Sequence, residues 1–424
     1  MDLDSRLVKR YDKLVRSHMM NSDFLSSGVK SALHSTDSFS QTQAAWRFLN
    51  NDACNLQELI KPILKAGLEA ANTHCVNYVL IAHDWSGLSY KTHTSKSDRF
   101  GIHHEKELGY ELQCSLMLSD QTGVPLAPLA LNVATKNELL STYKADTSRN
   151  ETHLEELAAR ISYLEGCGIT KPLVHIVDRE ADSIQLIRSM GNQNWLFRSR
   201  SNSRLSHEGV SFRAEELAKR LSYNLCREIN FKGQKAIQSI GEAKITIDRA
   251  AQPKKRIDGK KQSIKGEAVK ARFIVSKIQD KEGNVLAWWY LITNVDDVTM
   301  DVIALWYYWR WSIESFFKLL KSAGMQIETW QQESGIAIAR RLLIASMACV
   351  LVWQIAEMKG PEAGELRRIL IRLSGRQMKY GVEFTRSALL AGLASLLTTL
   401  NLLEHYDVDE LKQLLTSAIG TILM

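Results

Sequence analysis

The sequence has few cysteines, six in 424 residues, and they stand far apart (Cys54, Cys75, Cys114, Cys167, Cys226 and Cys349) with no CxxC pair. Their scarcity excludes a disulfide-stapled scaffold, argues against a zinc ribbon and fits a reducing compartment. No apolar stretch follows a basic opening after Met1, so a signal peptide is not expected. Long apolar runs are scarce as well. Residues 342–355 are short for a bilayer and contain Gln354, and 388–403 carry Ser395, Thr398, Thr399 and Asn401. Both are expected as buried or subunit-interface helices rather than membrane spans. There is no internal repeat, no low-complexity tract, no HExxH and no spaced His/Cys set. His83 and the pair His103-His104 are therefore read as ordinary core or surface histidines.

What is present is a folded chain with a mild cationic bias. Hydrophobic residues make up 45% and charged residues 24%, and the net charge is +7. At roughly 150 residues per domain the length allows two to four domains. The surplus charge hints at a polyanionic partner without establishing one.

Residues 1–75 read as a helical domain. Arg6, Lys9, Arg10, Lys13 and Arg16 recur mostly at three-residue steps, so a helix gathers them on one side, with Leu3, Leu7 and Leu14 toward a core. Residues 56–71 have the apolar spacing of a second amphipathic helix. From Val76 the texture changes to an α/β pattern over 76–200. Apolar runs at 77–83 and 173–177 each end in a carboxylate, Asp84 and Asp178. Further strands are expected at 110–118, 125–133 and 194–200, with helices at 151–164 and 181–189. Residues 201–296 read as β-rich, with a basic tract at 253–261 and a closing strand at 287–294. That tract is read either as phosphate-tracking or as a solvated hairpin tip. One long helix is expected over 300–323, within a segment 297–330, and helices again over 331–424.

Three carboxylates stand out by position: Asp84 and Asp178 at strand ends, and Glu314 within the long helix. At about 100° per residue, Tyr307, Arg310, Glu314, Lys318 and Lys321 share one helix face. One acid among three cations and a phenol suits a charged polymer. Carboxylates converging from separate elements suit two hard divalent ions, Mg²⁺ or Mn²⁺, and in-line attack at phosphorus. Each acid also has a plainer reading. A strand-end Asp is often a turn or cap residue, and a helical Glu four residues after Arg310 is often a solvated ion pair. Glu180 and Asp182 are read as serving the first turn of the helix they begin.

The spacing Y-x2-R-x3-E-x6-K runs without a gap through Tyr307, Arg310, Glu314 and Lys321. Residues 178–182 read DREAD, 84–90 read DWSGLSY and 44–50 read AAWRFLN. In these four stretches, taken in this order, the chain resembles the DDE transposases of the IS-four insertion-sequence family, the class of the Tn-five enzyme. The resemblance implies an α/β, RNase H-like catalytic core with a β-rich insertion, flanked by helical N- and C-terminal domains. It implies that Asp84, Asp178 and Glu314 bind two Mg²⁺ (or Mn²⁺) ions. It also implies that Arg310 and Lys321 hold phosphates, that Tyr307 contacts the DNA backbone, and that Lys318 matches a basic position. The partner would be double-stranded DNA, both transposon ends and target, with a homodimer in the synaptic complex. Ends would be nicked, closed into hairpins, reopened and joined to a target, in a bacterial cytoplasm on the nucleoid.

In that family a tryptophan on the last insertion strand receives an unstacked base, and the pattern aligns it with Trp289. The plainer reading is a core tryptophan. Arg198 matches an arginine that contacts the DNA end, and its plainer reading is a solvated strand-end charge. Relatives carry a further stretch ahead of the element resembled by residues 3–10, so end recognition is expected to be reduced if that stretch is missing. A non-catalytic regulator or inhibitor descended from such an enzyme, and a Mg²⁺-dependent nuclease without strand transfer, are the competing readings. The intact acids argue against the regulator.

Overall fold

The computed structural model describes residues 2–20, 35–102, 104–149, 152–231, 234–251 and 263–419. His103 and the basic tract 253–261 lie outside them. The helical start consists of α1 (Ser5–Met20), α2 (Ser35–Leu49), α3 (Leu56–Leu59) and α4 (Lys61–His74). The single helix expected over 56–71 is two. Asn55 caps α3 through Glu58 N, and Pro62 sits in the first turn of α4, where its missing N–H costs nothing.

The sheet then begins with β1 (Val79–Ser89), β2 (Phe100–Gly101), β3 (Leu108–Ser119), β4 (Pro125–Ala134) and β5 (Leu139–Ser141). Helix α5 (His153–Glu165) starts on a capping box made by Thr152 and Glu155. It leads to β6 (Leu173–Val177), α6 (Ile184–Ser189) and β7 (Asn194–Ser199). The stretch 201–296 is rich in strands. It contains β8 (Arg204–His207), β9 (Val210–Arg213), α7 (Ala214–Ala218), β10 (Asn224–Phe231), β11 (Gln234–Ile247), β12 (Val269–Gln279) and β13 (Val285–Thr293). The remaining elements are α8 (Met300–Trp309), α9 (Ser312–Leu320), α10 (Gly335–Glu357), α11 (Pro361–Leu373), α12 (Arg386–Leu403) and α13 (Val408–Ile419).

Among the described residues all strands join one mixed sheet, ordered β5-β4-β3-β1-β6-β7-β13-β12-β11-β8-β9, with β2 on β3 and β10 on β11. The centre is parallel, β1 to β6 to β7, and the flanks are antiparallel. Strand 285–293 pairs directly with β7, so the β-rich stretch extends this sheet. Side chains alternate across it as a pleated strand requires. Ile176, Leu196 and Leu291 enter one core, while Val177, Phe197 and Ile292 enter another. The first core also takes residues from the N-terminal helices and from α8, α9, α10 and α12.

Helix α10 is long and apolar enough to cross a bilayer by length and composition, as is α12. Residues 342–355 alone are short for a span, but the helix begins earlier, at Gly335, and 83% of its apolar window is buried inside the fold. It carries two buried arginines that tie it to the start of the chain. Arg340 donates to the carbonyls of Leu49 and Cys54 at 2.9 and 2.8 Å. Arg341 donates to His18 Nε2 and Gln332 Oε1 and lies 4.1 Å above the Trp330 ring. Burial drives the His18 pKa down to about 3, so that imidazole is a neutral acceptor.

The β3–β4 turn holds the junction of α8 and α9. Trp306 Nε1 donates to Asp120 O at 3.2 Å, and Ser312 Oγ donates to Gly123 O at 2.9 Å. Gly123 has φ +66°, and a Cβ there would lie 2.1 Å from the Trp309 ring. Gly123→Ala should therefore cost about 2 kcal/mol or more, from backbone strain and overpacking together. Gly191, with φ +56° and nothing within 4 Å of its would-be Cβ, isolates the strain alone. Gly191→Ala should cost about 1 kcal/mol. Chemical denaturation of both variants measures the difference, and equal losses would refute the packing role of Gly123.

Candidate active site

Asp84 and Asp178 are neighbours because of register. The parallel ladder of β1 and β6 runs from Val79 opposite Leu173 to His83 opposite Val177, and each acid is the next residue. Asp178 ends its strand as expected. Asp84 does not, because β1 continues to Ser89 on its other edge, where Asp84 pairs with Cys114 and Trp85 with Gln113 of β3. Both carboxylates accept from the following backbone N–H, Trp85 N at 2.9 Å and Arg179 N at 2.7 Å. Asp178 thus caps the short turn 179–181 while still facing the site.

Glu314 comes from the opposite layer. The single helix expected over 300–323 is broken at Arg310 and Trp311. Both stay in the right-handed helical region, but the joint replaces i→i−4 bonds by i→i−3 bonds: Arg310 N to Tyr307 O, Trp311 N to Tyr308 O and Ile313 N to Arg310 O. Glu314 therefore lies in the first turn of α9, where a carboxylate is favoured by the helix dipole.

The three acids meet around one guanidinium. Arg310 Nη1 lies 2.7 Å from Asp84 Oδ2, while Nη2 lies 3.1 Å from Glu314 Oε1 and 3.9 Å from Asp178 Oδ2. Arg310 is only 2% exposed, and its buried Nε has no hydrogen-bond partner. Tyr307 donates its hydroxyl to Asp178 Oδ1 at 2.9 Å, and Arg198 Nη1 approaches the same oxygen at 3.5 Å. Burial raises the Asp84 and Glu314 carboxyls above their ordinary values, with the other acids adding to it. Burial acts in the same sense on Asp178. There it is outweighed by the Arg310 charge, the Arg179 N–H, Arg198 and the Tyr307 hydroxyl, and Asp178 ends below the usual range. For Arg310 burial works against the charge, but Tyr307 and the three acids outweigh it and raise its pKa.

The other expected residues take several positions. Lys318 is exposed one turn beyond Glu314. Lys321 donates to Gly87 O and lies 3.8 Å from Glu328, tying the end of α9 to β1. Trp289 is 5% exposed, with its ring against Phe231, Tyr307 and Tyr308. The exposed aromatics at this edge are Tyr308 and Trp311, the latter 48% exposed and 5.8 Å from the Arg310 guanidinium. Nothing in the run Trp309-Arg310-Trp311 marks which ring faces solvent, because that depends on the break.

His83 turns away from the acids, as the residue before Asp84 on a strand must. It joins a buried chain in which His83 Nδ1 meets Ser115 Oγ, His83 Nε2 meets His175 Nδ1, and His175 Nε2 meets Glu165 Oε1, at 2.9, 2.9 and 3.0 Å. Burial lowers both imidazole pKa values, which suits a hydrogen-bond network of the core. Asp182 was expected to serve a helix's first turn. Instead it ends the turn 179–181 and its fully buried carboxylate accepts from Arg200 N, Ser199 Oγ, Ser203 Oγ and Arg249.

The donor set fits divalent cations. Asp84, Asp178 and Glu314 offer hard carboxylate oxygens already gathered on one positive group. With Arg310 among them, no three acidic, His or Cys side chains of the described residues lie close enough to hold one ion.

A family model described as "Transposase DDE domain" matches residues 77–351, which span β1 to α10 and contain all three acids. A comparison with curated protein sequences gives no match. Among solved structures, the piggyBac transposase synaptic complex with hairpin DNA, determined by cryo-EM, is similar over 100% of this chain and 77% of that one. The two are 10% identical, with a TM-score of 0.37.

Proposed function

The chain belongs to the DDE-domain transposase family, and on that premise we propose that Asp84, Asp178 and Glu314 are the catalytic acids of a two-metal transposase that cuts and rejoins DNA. The observation that carries this reading is the convergence of three carboxylates, from β1, from the end of β6 and from α9, on a single guanidinium. Mg²⁺ or Mn²⁺ held by these carboxylates supplies activation of the attacking oxygen and stabilisation of the leaving one. The central strand order β4-β3-β1-β6-β7, part parallel and part antiparallel, supports an RNase H-like core.

The chain's own residues supply position and charge, which is most of what phosphoryl transfer requires. The backbone N–H groups of Trp85 and Arg179 hold one oxygen of each aspartate, leaving the other directed at the site. The Tyr307 hydroxyl fixes the rotation of Asp178. Lys318 is free to meet a DNA phosphate from the exposed side of α9, and Arg198 meets the phosphate at the DNA end. Lys321 reaches a phosphate by leaving Gly87 O. Hairpin closure needs a base out of the stack, at a cost of a few kcal/mol that an aromatic surface offsets. Trp289, with Tyr308 beside it, is that surface. The protein acts as a homodimer on paired ends.

The test incubates the purified protein with Mg²⁺ and labelled DNA from the flanks of its gene, and resolves nicks, hairpins and joined products. Cleavage followed by joining is expected, and cleavage without joined product would leave only a nuclease. Binding to the same DNA should weaken roughly a thousandfold between about 50 and 200 mM salt, as for roughly six neutralised phosphates. A flat salt response would remove the phosphate-tracking surface from the account.

A further inference from the structure

Arg310 lies within 4 Å of all three acids, and it does so as a cation. Its guanidinium presents Nη1 to Asp84 and Nη2 to Glu314 and, more distantly, to Asp178. A guanidinium and a divalent ion compete for the same carboxylate oxygens, since like charges a few ångströms apart repel strongly in a buried site. Three carboxylates left together without a counterion would also be costly, because buried unpaired charge is penalised. The seat is nevertheless incomplete. Arg310 Nε is buried with no acceptor, and the Asp178 oxygen lies beyond hydrogen-bond distance of Nη2. The residue also sits at the break between α8 and α9, where three i→i−3 bonds replace the regular helical ladder.

Resting on the two-metal reading, we infer that Arg310 is a resident counterion of the acidic cluster, displaced when divalent ions bind. Without metal it neutralises part of the charge of Asp84, Asp178 and Glu314 and keeps them gathered. With metal its guanidinium leaves the carboxylates and turns to the scissile phosphate, an anion it cannot reach while paired. The exposed side of the cluster is where Trp311 and Glu314 meet solvent. Arg310 is a positioning residue in the first state and a phosphate ligand in the second. No bond is made or broken in the exchange. Metal loading and phosphate binding are thereby coupled through one side chain, and the coupling is reciprocal.

The test measures Mn²⁺ binding to the whole chain without DNA, by calorimetry and by the electron paramagnetic resonance of free Mn²⁺. Arg310→Gln removes the competing charge and should bind Mn²⁺ about tenfold more tightly than the wild type, within the usual range for coupled sites. Equal or weaker binding overturns the inference. Should the Gln variant fail to fold without metal, the wild type answers the question. The Arg310 Nε–Hε resonance, assigned by its loss in Arg310→Lys, should shift during a Mg²⁺ titration with the midpoint of metal binding. A resonance unmoved at saturating Mg²⁺ overturns it equally. Asp84→Ala separates the two levels. If it loses Mn²⁺ while Arg310→Gln changes nothing, the counterion role fails and the two-metal reading stands. If Asp84→Ala binds Mn²⁺ as well as the wild type, both fall.

Discussion

Replacing Asp84, Asp178 or Glu314 with alanine should lower DNA cleavage by about a thousandfold or more, the scale seen when one member of a cooperating catalytic set is removed. Binding to the uncut DNA should stay within a few-fold, because phosphate contacts are spread over many cations. The fold should also survive, for a reason specific to this cluster. Burial, and to a lesser extent the neighbouring acids, push the Asp84 and Glu314 carboxyls up, so each is an anion held at a cost. Removing one acid removes that cost, and Arg310 keeps the other two partners. Thus the loss is expected in chemistry and not in melting temperature. Asp178→Ala should be the most costly to stability, since Tyr307 and Arg198 lose a partner as well. Nicking at the wild-type rate by any of the three would show that the acid concerned does not hold the metal. Cleavage lost together with a large drop in melting temperature would show a structural role instead.

The acids were legible because a strand buried on both faces reads as an apolar run, and a carboxylate that ends the run is conspicuous. That reading found Asp84 and Asp178, and the ladder of β1 and β6 explains why the two runs deliver their acids to one level. It misplaced the end of β1. Ser86, Gly87 and Ser89 do not look like strand residues, and only the pairing with β3 carries the chain through them. Helical spacing put Tyr307, Arg310 and Glu314 on one face, and Tyr307 and Arg310 do meet the carboxylates. It could not show the break at Arg310, because both joint residues keep helical dihedrals and only the hydrogen-bond partners change. Nor could it show that Arg310 turns inward. A cation on a helix face is usually solvated, and what buries this one is the arrival of two aspartates from 226 and 132 residues away in sequence. Helix α10 starts earlier than the run 342–355, at Gly335 behind the Ser334 cap, and includes Arg340 and Arg341, which find buried carbonyl and imidazole acceptors in the N-terminal region. No local pattern announces such partners.

Asp182→Ala should have the largest effect on stability among the polar residues near the site. Its carboxylate is 0% exposed and accepts from the Arg200 N–H at 2.7 Å, from Ser199 Oγ at 3.1 Å, and from Ser203 Oγ and Arg249 at close range. Four donors, from β7, from the loop after it and from the segment following β11, thus depend on one group. Removing it leaves the Arg249 guanidinium and the Arg200 N–H without their acceptor, and breaking such a buried pair typically costs about 3–5 kcal/mol. Arg249→Ala should cost less, because that side chain is 21% exposed and Asp182 keeps three other donors. The order of the two losses is therefore the discriminating result, measured by chemical denaturation. Asp182 lies one short turn after Asp178, and Arg179 O also accepts from Arg200 Nε at 3.4 Å. Loosening this turn should displace Asp178 from Arg310 and Tyr307, so Asp182→Ala should also slow cleavage although its carboxylate faces away from the acids. A loss below about 1 kcal/mol, the net worth of an ordinary hydrogen bond, would mean that the β7 loop and the turn carrying Asp178 are held together by packing alone.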